Sequence, residues 1–152
     1  MKKVHPDMKK LMTVQWIAMA LQTAILLLHF VPIASLASGG GSVNSLQAAG
    51  MYIHKGGVLP ILGGCLYCLL VFGMPILSWK ATLQGKTRLK YVASIGICAL
   101  ESISSSCFYT MVLQRMSDML TLNWFHYLLV ALEIFDLILF VAAYLLAWDG
   151  DN

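Results

Sequence analysis

Three acidic residues lie inside long apolar runs of this chain. Glu101 interrupts the run 91–113, and Glu133 and Asp136 interrupt the run 123–147. An ionisable side chain inside a membrane span is energetically costly, so it is a functional candidate by default. Such a carboxyl group can bind or relay a proton, bind a cation, or keep a polar cleft hydrated.

The depth of the two glutamates adds to this case. Glu101 and Glu133 each lie ten residues after the first residue of their run. At about 1.5 Å per helical residue this is about 15 Å, the middle of a hydrocarbon core about 30 Å thick. Neither run contains Lys or Arg. An unpaired carboxylate at this depth is expected to take up a proton, because hydrocarbon stabilises its charged form poorly.

Other polar residues of the apolar runs recur at helical spacing and define faces. The first run carries one every seven residues, namely Gln15, Gln22 and His29. The third run carries four at spacings i, i+4, i+7 and i+11, namely Ser94, Cys98, Glu101 and Ser105. In lipid such faces are expected to turn toward other helices, where they can form hydrogen bonds. His29 lies near the outer end of its run, where contact with solvent is the simplest expectation.

These faces define a candidate intramembrane polar and acidic site. Its members are Glu101, Glu133, Asp136, Gln22 and Ser105. The acids are interpreted in three ways: as binding or relay groups of a carrier, as the lining of a hydrated cleft in a protein that handles lipid, or as structural groups. In the structural interpretation a protonated Glu donates a hydrogen bond to Gln22, a serine or a carbonyl and so fixes helix pairing.

Composition identifies the elements that must position this site. The chain has 152 residues, is 59% hydrophobic and 11% charged, and has a mean hydropathy of +0.78. Soluble domains carry about 25% charged residues, so the composition indicates a membrane protein. Four runs exceed the about 18 residues that a helical span needs. They cover residues 11–36, 57–79, 91–113 and 123–147. We therefore predict a single polytopic domain over residues 1–152, an all-α bundle of four transmembrane helices.

The first run is interpreted as an uncleaved span, because its 26 residues exceed the 7–15 residues of a signal-peptide core. The segment 37–56 is rich in Gly, Ser, Asn and Gln and is predicted to be an outer loop. It has room for a short helix over residues 45–52. Ser42 or Asn44 is the expected N-cap, and the helix would lie in the interface or cover the bundle.

Basic residues predict the orientation. Four Lys precede the first span and four basic residues follow the second, whereas the other two loops carry one each, Lys55 and Arg115. The positive-inside rule then places both termini and the middle loop in the cytoplasm, in a multi-pass protein of the inner (plasma) membrane. The lipid bilayer is the expected environment. Two short juxtamembrane clusters give no basis for nucleic-acid binding.

No motif in the sequence predicts an enzyme or a cofactor. No Ser/His/Asp or Cys/His set shares a plausible site, so no catalytic residue is assigned. Cys65 and Cys68 form a C-x-x-C pattern, which we interpret as helix packing because no basic residue is predicted nearby. A metal site at the outer face would require His29, His54 and His126 to converge from separate segments, and none is predicted.

Short motifs along the chain follow a recognisable order. They are Phe30-Val31-Pro32-Ile33, the Gly/Ser-rich segment 42–57, Phe72-Gly73-Met74-Pro75-Ile76-Leu77, the basic loop 80–90, and Ile95-Gly96 leading to Glu101. Over about residues 12–147 this order resembles the four-helix membrane module of paraquat-inducible protein A. That family is the lipid-transport A component that works with tunnel-forming proteins of the bacterial envelope.

The resemblance implies a non-enzymatic inner-membrane protein in lipid or envelope transport or membrane stress. The interior around Gln22, Glu101, Glu133 and Asp136 would be its polar cleft. Family members usually carry a zinc ribbon with paired C-x-x-C motifs before the module, but residues 1–10 contain no Cys. A stand-alone module is therefore expected. Two alternatives stay open: an accessory, immunity or interaction subunit with a protein partner, and a proton-coupled small-solute carrier that works as an oligomer.

Overall fold

The computed structural model describes residues 6–84 and 87–149, which form five helices and three short strands. In chain order they are α1 (Pro6–Leu28), β1 (Pro32–Leu36), β2 (Ser42–Asn44), α2 (Ser45–His54), α3 (Val58–Gln84), α4 (Thr87–Arg115), β3 (Leu120–Leu122) and α5 (Phe125–Asp149). The four long helices contain the four predicted runs, except that α1 ends earlier than predicted and that α3 and α5 begin slightly later.

The helices α1, α3, α4 and α5 are long and apolar enough to cross a membrane. In the bundle α1 packs against α5, α5 against α4, and α4 against α3, while α1 also touches α3. Large apolar side chains point outward on all four helices, among them Trp16, Leu27, Leu62, Leu69, Ile103 and Ile138. An apolar exterior around a partly polar interior is expected of a helical bundle in lipid, which agrees with the predicted class.

A small antiparallel sheet closes one end of the bundle, so the all-α prediction is wrong in this respect. Its strand order is β2-β1-β3. Ala34 in β1 pairs with Val43 on one side and with Leu122 on the other. Residues 32–36 were predicted as the end of the first span. The helix stops before them because Pro32 lacks the backbone N–H that the next helical turn would need.

The third strand ties two distant parts of the chain together. β3 belongs to the connection between α4 and α5, and Asn123 directly after it bonds back to β1. Its backbone N–H donates to the Ile33 carbonyl at 2.8 Å, and its side-chain Nδ2 donates to the Pro32 carbonyl at 3.2 Å. We call the end of the bundle that carries the sheet and α2 the capped end.

The short helix α2 confirms the helix predicted in the first loop. Asn44, one of the two expected N-caps, accepts a hydrogen bond from the Gln47 backbone N–H at 2.9 Å. The Gln47 side chain accepts one from the Asn44 backbone N–H at the same distance, which completes a capping box. Ala48, Ala49 and Tyr52 are buried, and α2 packs against α3. The helix therefore covers the bundle.

The capping box makes a testable contribution. We expect Asn44→Ala to lower the free energy of unfolding by about 1 kcal/mol, because the Gln47 backbone N–H in the first turn of α2 loses its acceptor. Thermal unfolding of the detergent-solubilised chain measures this. Ser42→Ala, at the exposed start of the adjacent strand, is the matched control and should leave the midpoint unchanged. Equal midpoints for both variants would contradict a stabilising cap.

Candidate functional site

The interior of the bundle has two apolar clusters with a polar zone between them. The cluster at the capped end includes Ile33, Tyr52, Tyr67, Phe108, Met116 and Leu129. The cluster at the opposite end includes Leu11, Ala18, Tyr91, Cys98, Phe140 and Ala143. Residues of α1, α4 and α5 that lie between these clusters along each helix form the polar zone.

All five predicted site residues are buried in this zone. Glu101 is 3% exposed, and Glu133 and Asp136 are each 2% exposed. Gln22 and Ser105 are also buried. Three helices supply them because each carries its polar residues at helical spacing, so that one face of each turns inward. The predicted faces of the first, third and fourth runs are therefore brought together.

Glu133 is the acceptor in the part of the zone nearer the capped end. Its Oε1 accepts a hydrogen bond from Ser105 Oγ at 2.8 Å and lies 3.6 Å from His29 Nε2. His29 Nδ1 lies 2.8 Å from the Ile25 carbonyl, to which it can only donate. In the neutral imidazole His29 Nε2 is then the acceptor nitrogen, and it faces the Glu133 carboxyl. His29 is fully buried, so the expectation that it contacts solvent is wrong.

The second part of the zone lies further from the cap. Gln22 Nε2 donates to Cys98 Sγ at 3.5 Å, and Cys98 Sγ donates to Asp136 Oδ2 at 3.6 Å. The Gln22 side chain also interacts with Glu101. A thiol thus links an amide on α1 to a carboxyl on α5. Cys98 was recognised in the sequence as a member of a polar face but was not assigned to the site.

Glu133 contacts α4 about one helical turn away from Glu101. Its hydrogen-bond donor Ser105 lies four residues after Glu101 on α4, which is about 6 Å along the helix axis at about 1.5 Å per residue. The expectation that the two carboxyls share one depth in a membrane stays a prediction.

Several oxygen atoms of the zone have no hydrogen-bond partner within the described residues. They are Gln22 Oε1, Glu101 Oε1, Glu133 Oε2 and Asp136 Oδ1. A buried polar atom left unpaired costs about 1–3 kcal/mol. Within residues 6–84 and 87–149, the basic side chain recorded against these groups is the imidazole of His29. The zone is therefore rich in acceptors and suited to groups that donate protons or hydrogen bonds.

The polar zone continues toward the cap through residues that the sequence analysis did not select. The hydroxyls of Tyr67 and Tyr109 lie 3.1 Å apart, and the Tyr67 ring stacks on Phe108 with centroids 3.9 Å apart. Ser45 Oγ donates to the His29 carbonyl at 2.9 Å. Tyrosines in apolar runs have no distinctive spacing. The one signal in the sequence is that Tyr109 lies on nearly the same helical face as Ser105 and Glu101, which could have assigned Tyr109 to the polar zone.

The residues that were considered as metal ligands do not converge. His29 and His126 are buried while His54 is exposed at the end of α2. Within residues 6–84 and 87–149, no group of three or more His, Cys, Asp or Glu side chains is arranged to hold a metal ion. Cys65 is exposed and Cys68 half-buried, and both are free thiols.

The arrangement can take up protons and can accept hydrogen bonds from a polar guest. Glu101 lies near enough to both Glu133 and Asp136 for their charges to influence it. Comparisons with protein-family models, with curated proteins and with solved structures find no match for this chain.

Proposed function

We propose that this chain is a non-enzymatic protein of the plasma (inner) membrane that takes part in lipid or envelope transport. In this proposal it resembles a paraquat-inducible protein A module. Glu101, Glu133, Asp136 and Gln22 line a polar cleft inside the bundle. The outward surfaces of the four long helices contact the bilayer. Both termini and the α3–α4 connection face the cytoplasm, since eight of the ten basic residues lie there, and the capped end faces outward.

The single observation that carries the proposal is that three carboxyl groups converge in the bundle interior. Each of them has one oxygen without a hydrogen-bond partner among the described residues. A purely structural cluster would be expected to satisfy its buried oxygens, because each unpaired one costs stability. Proteins retain such costly groups in membrane spans chiefly where a substrate or a proton passes. An amphiphile needs a polar environment for its headgroup and an apolar surface for its chains, and in this proposal the carboxyl cluster and the outward helix faces supply them.

Lipid movement by the purified chain tests the proposal. In proteoliposomes, we expect the protein to accelerate transfer of a fluorescent phospholipid, and Glu101→Gln to slow that transfer about tenfold. Such a change corresponds to about 1.4 kcal/mol in the barrier. The amide keeps the shape of the side chain but cannot ionise.

Asp118→Asn is the matched control, because it makes the same chemical change at an acid that is 71% exposed outside the polar zone. This variant should transfer lipid at least as fast as the wild type. Absence of transfer by the wild-type protein would overturn the proposal. If folded Glu101→Gln transferred lipid at the wild-type rate, the carboxyl cluster would have no part in the proposed function.

A proton-coupled small-solute carrier is a second candidate, favoured by one contact. The 3.6 Å separation of His29 Nε2 and Glu133 Oε1 lets one proton move between an imidazole and a carboxyl inside the membrane. With four spanning helices such a carrier would work as an oligomer. Proteoliposomes that enclose a pH-sensitive dye distinguish it: solute-dependent proton uptake without lipid transfer would favour the carrier.

The accessory-subunit alternative requires that a partner reach the site. Glu101, Glu133 and Asp136 are enclosed by the bundle, so a partner's basic residues, like a lipid headgroup, would reach them only when the helices separate. A partner would have to bind the outward helix faces or the cap. Co-purification of a stoichiometric partner, together with the absence of lipid or solute movement, would favour this alternative.

A further inference from the structure

A second polar pocket lies at the capped end, away from the carboxyl cluster. It has a volume of about 360 Å³ and is lined by Tyr52, Lys55, Gly56, Pro60 and Arg115. The end of α2, the α2–α3 connection, the start of α3 and the end of α4 meet there. These two basic residues are the ones that lie apart from the two basic clusters of the chain.

The pocket carries a net positive charge. Lys55 Nζ donates to the Arg115 carbonyl and lies 3.5 Å from Asp118 Oδ1. Asp118 is largely exposed, and exposed ion pairs of this kind contribute little. For the Arg115 guanidinium the structure records no ion pair among the described residues. Two cations and one anion leave a net charge of +1 at the pocket.

Tyr52 adds a hydrogen-bond donor to these charges. Its side chain is fully buried, and its ring packs edge-on against Phe108 with centroids 6.0 Å apart. Its hydroxyl has no partner among the residues described, although a buried tyrosine hydroxyl usually finds one. Tyr52 is one of the residues that line the pocket, so a ligand bound there would lie next to a residue whose hydroxyl lacks a partner.

The backbone favours an anion as well. Gly56 adopts a φ of +79° and precedes α3, and Pro60 lies within the first turn of α3, which contains no acidic residue. The N-terminal end of a long helix carries a partial positive charge and stabilises anions. A guanidinium, an ammonium and a hydroxyl around such a turn match the oxygens of a phosphate group.

An apolar pocket adjoins this site. It has a volume of about 540 Å³, and Lys55 lines both pockets. Its other lining residues are Gly50, Met51, His54 and Met119. Met side chains adapt to irregular apolar ligands. We propose that the capped-end pocket binds the phosphate group of an amphiphile, with Arg115, Lys55 and Tyr52 as its ligands and the adjoining pocket receiving an apolar part. This deepens the proposed function, on which its choice of ligand class rests.

Binding is measured on the full chain in an uncharged detergent. The thermal midpoint is followed while short-chain phosphatidylglycerol or inorganic phosphate is added. We expect a saturable rise with phosphatidylglycerol. Arg115→Gln should weaken the apparent Kd about tenfold, and Tyr52→Phe about fivefold, because each removes a donor to the phosphate. Lys80→Gln removes one exposed positive charge far from the pocket and should change the apparent Kd less than about twofold.

The outcomes separate the sources of the phosphate. Saturation by phosphatidylglycerol alone identifies a lipid headgroup, and saturation by inorganic phosphate through the same residues identifies free phosphate. No saturable binding of either probe, or equal weakening in Lys80→Gln, would overturn the site. Tyr52→Phe preserves the buried ring and keeps the test valid if Arg115→Gln does not fold. Lipid transfer is measured separately in proteoliposomes, so loss of transfer with saturable binding retained is distinguishable from a failure of this site.

Discussion

Glu133→Ala is expected to destabilise the bundle and to abolish lipid transfer, whereas Glu133→Gln should restore the stability alone. Alanine removes the acceptor of the Ser105 hydroxyl and the neighbour of His29 Nε2, and leaves a cavity in a closely packed interior. Lost packing and unpaired polar groups together should cost about 2–4 kcal/mol. The glutamine amide can still accept from the Ser105 hydroxyl and can donate to His29 Nε2, but it cannot bind and release a proton.

This pair of variants separates two roles of one side chain. Unfolding in detergent measures the first role, and phospholipid transfer in proteoliposomes measures the second. Ile134→Ala is the control, since the adjacent Ile134 side chain on α5 is exposed on the outward face. It should leave the free energy of unfolding nearly unchanged in detergent. If Glu133→Gln transferred lipid at the wild-type rate, ionisation of this carboxyl would not be part of the mechanism.

Gly64→Leu is expected to detach α2 from the bundle. A Cβ atom at Gly64 would lie 2.4 Å from Ile53 Cγ1 and 3.2 Å from the Ala49 carbonyl oxygen. The Ile53 side chain can move, but the carbonyl belongs to the backbone of α2 and cannot move without the helix. We expect the free energy of unfolding to fall by about 2–3 kcal/mol, in the range of overpacked cores.

The matched control lies on the same helix. At Gly73 the nearest atom to an added Cβ is Leu69 Cδ1 at 3.9 Å, so Gly73→Leu should be tolerated. Thermal unfolding compares the two variants. Phosphatidylglycerol binding should also weaken in Gly64→Leu, because Tyr52 and Lys55 are carried by α2 and the residue after it. Similar unfolding midpoints for both glycine variants would show that α2 does not depend on this close approach.

The sequence determined much of this protein through local properties. The length of each run and its low content of charged residues predicted the four long helices, and helical spacing predicted which residues face inward. The acids, Gln22 and Ser105 were therefore selected correctly as buried groups. The short helix α2 was also predictable, because its N-cap signal lies within four residues of chain.

Only the tertiary structure decided which of these residues meet. Ser105 and Glu133 are 28 residues apart and Gln22 and Cys98 are 76 apart, so their contacts depend on how whole helices pack. The strand β1 likewise depends on residues 42–44 and 120–122, which supply its hydrogen-bond partners. A longer helix is disfavoured there because Pro32 has no backbone N–H to donate. Hydropathy predicts which residues are buried but not which residues they contact. For this reason the first span was predicted to extend too far, and His29 was expected to contact solvent.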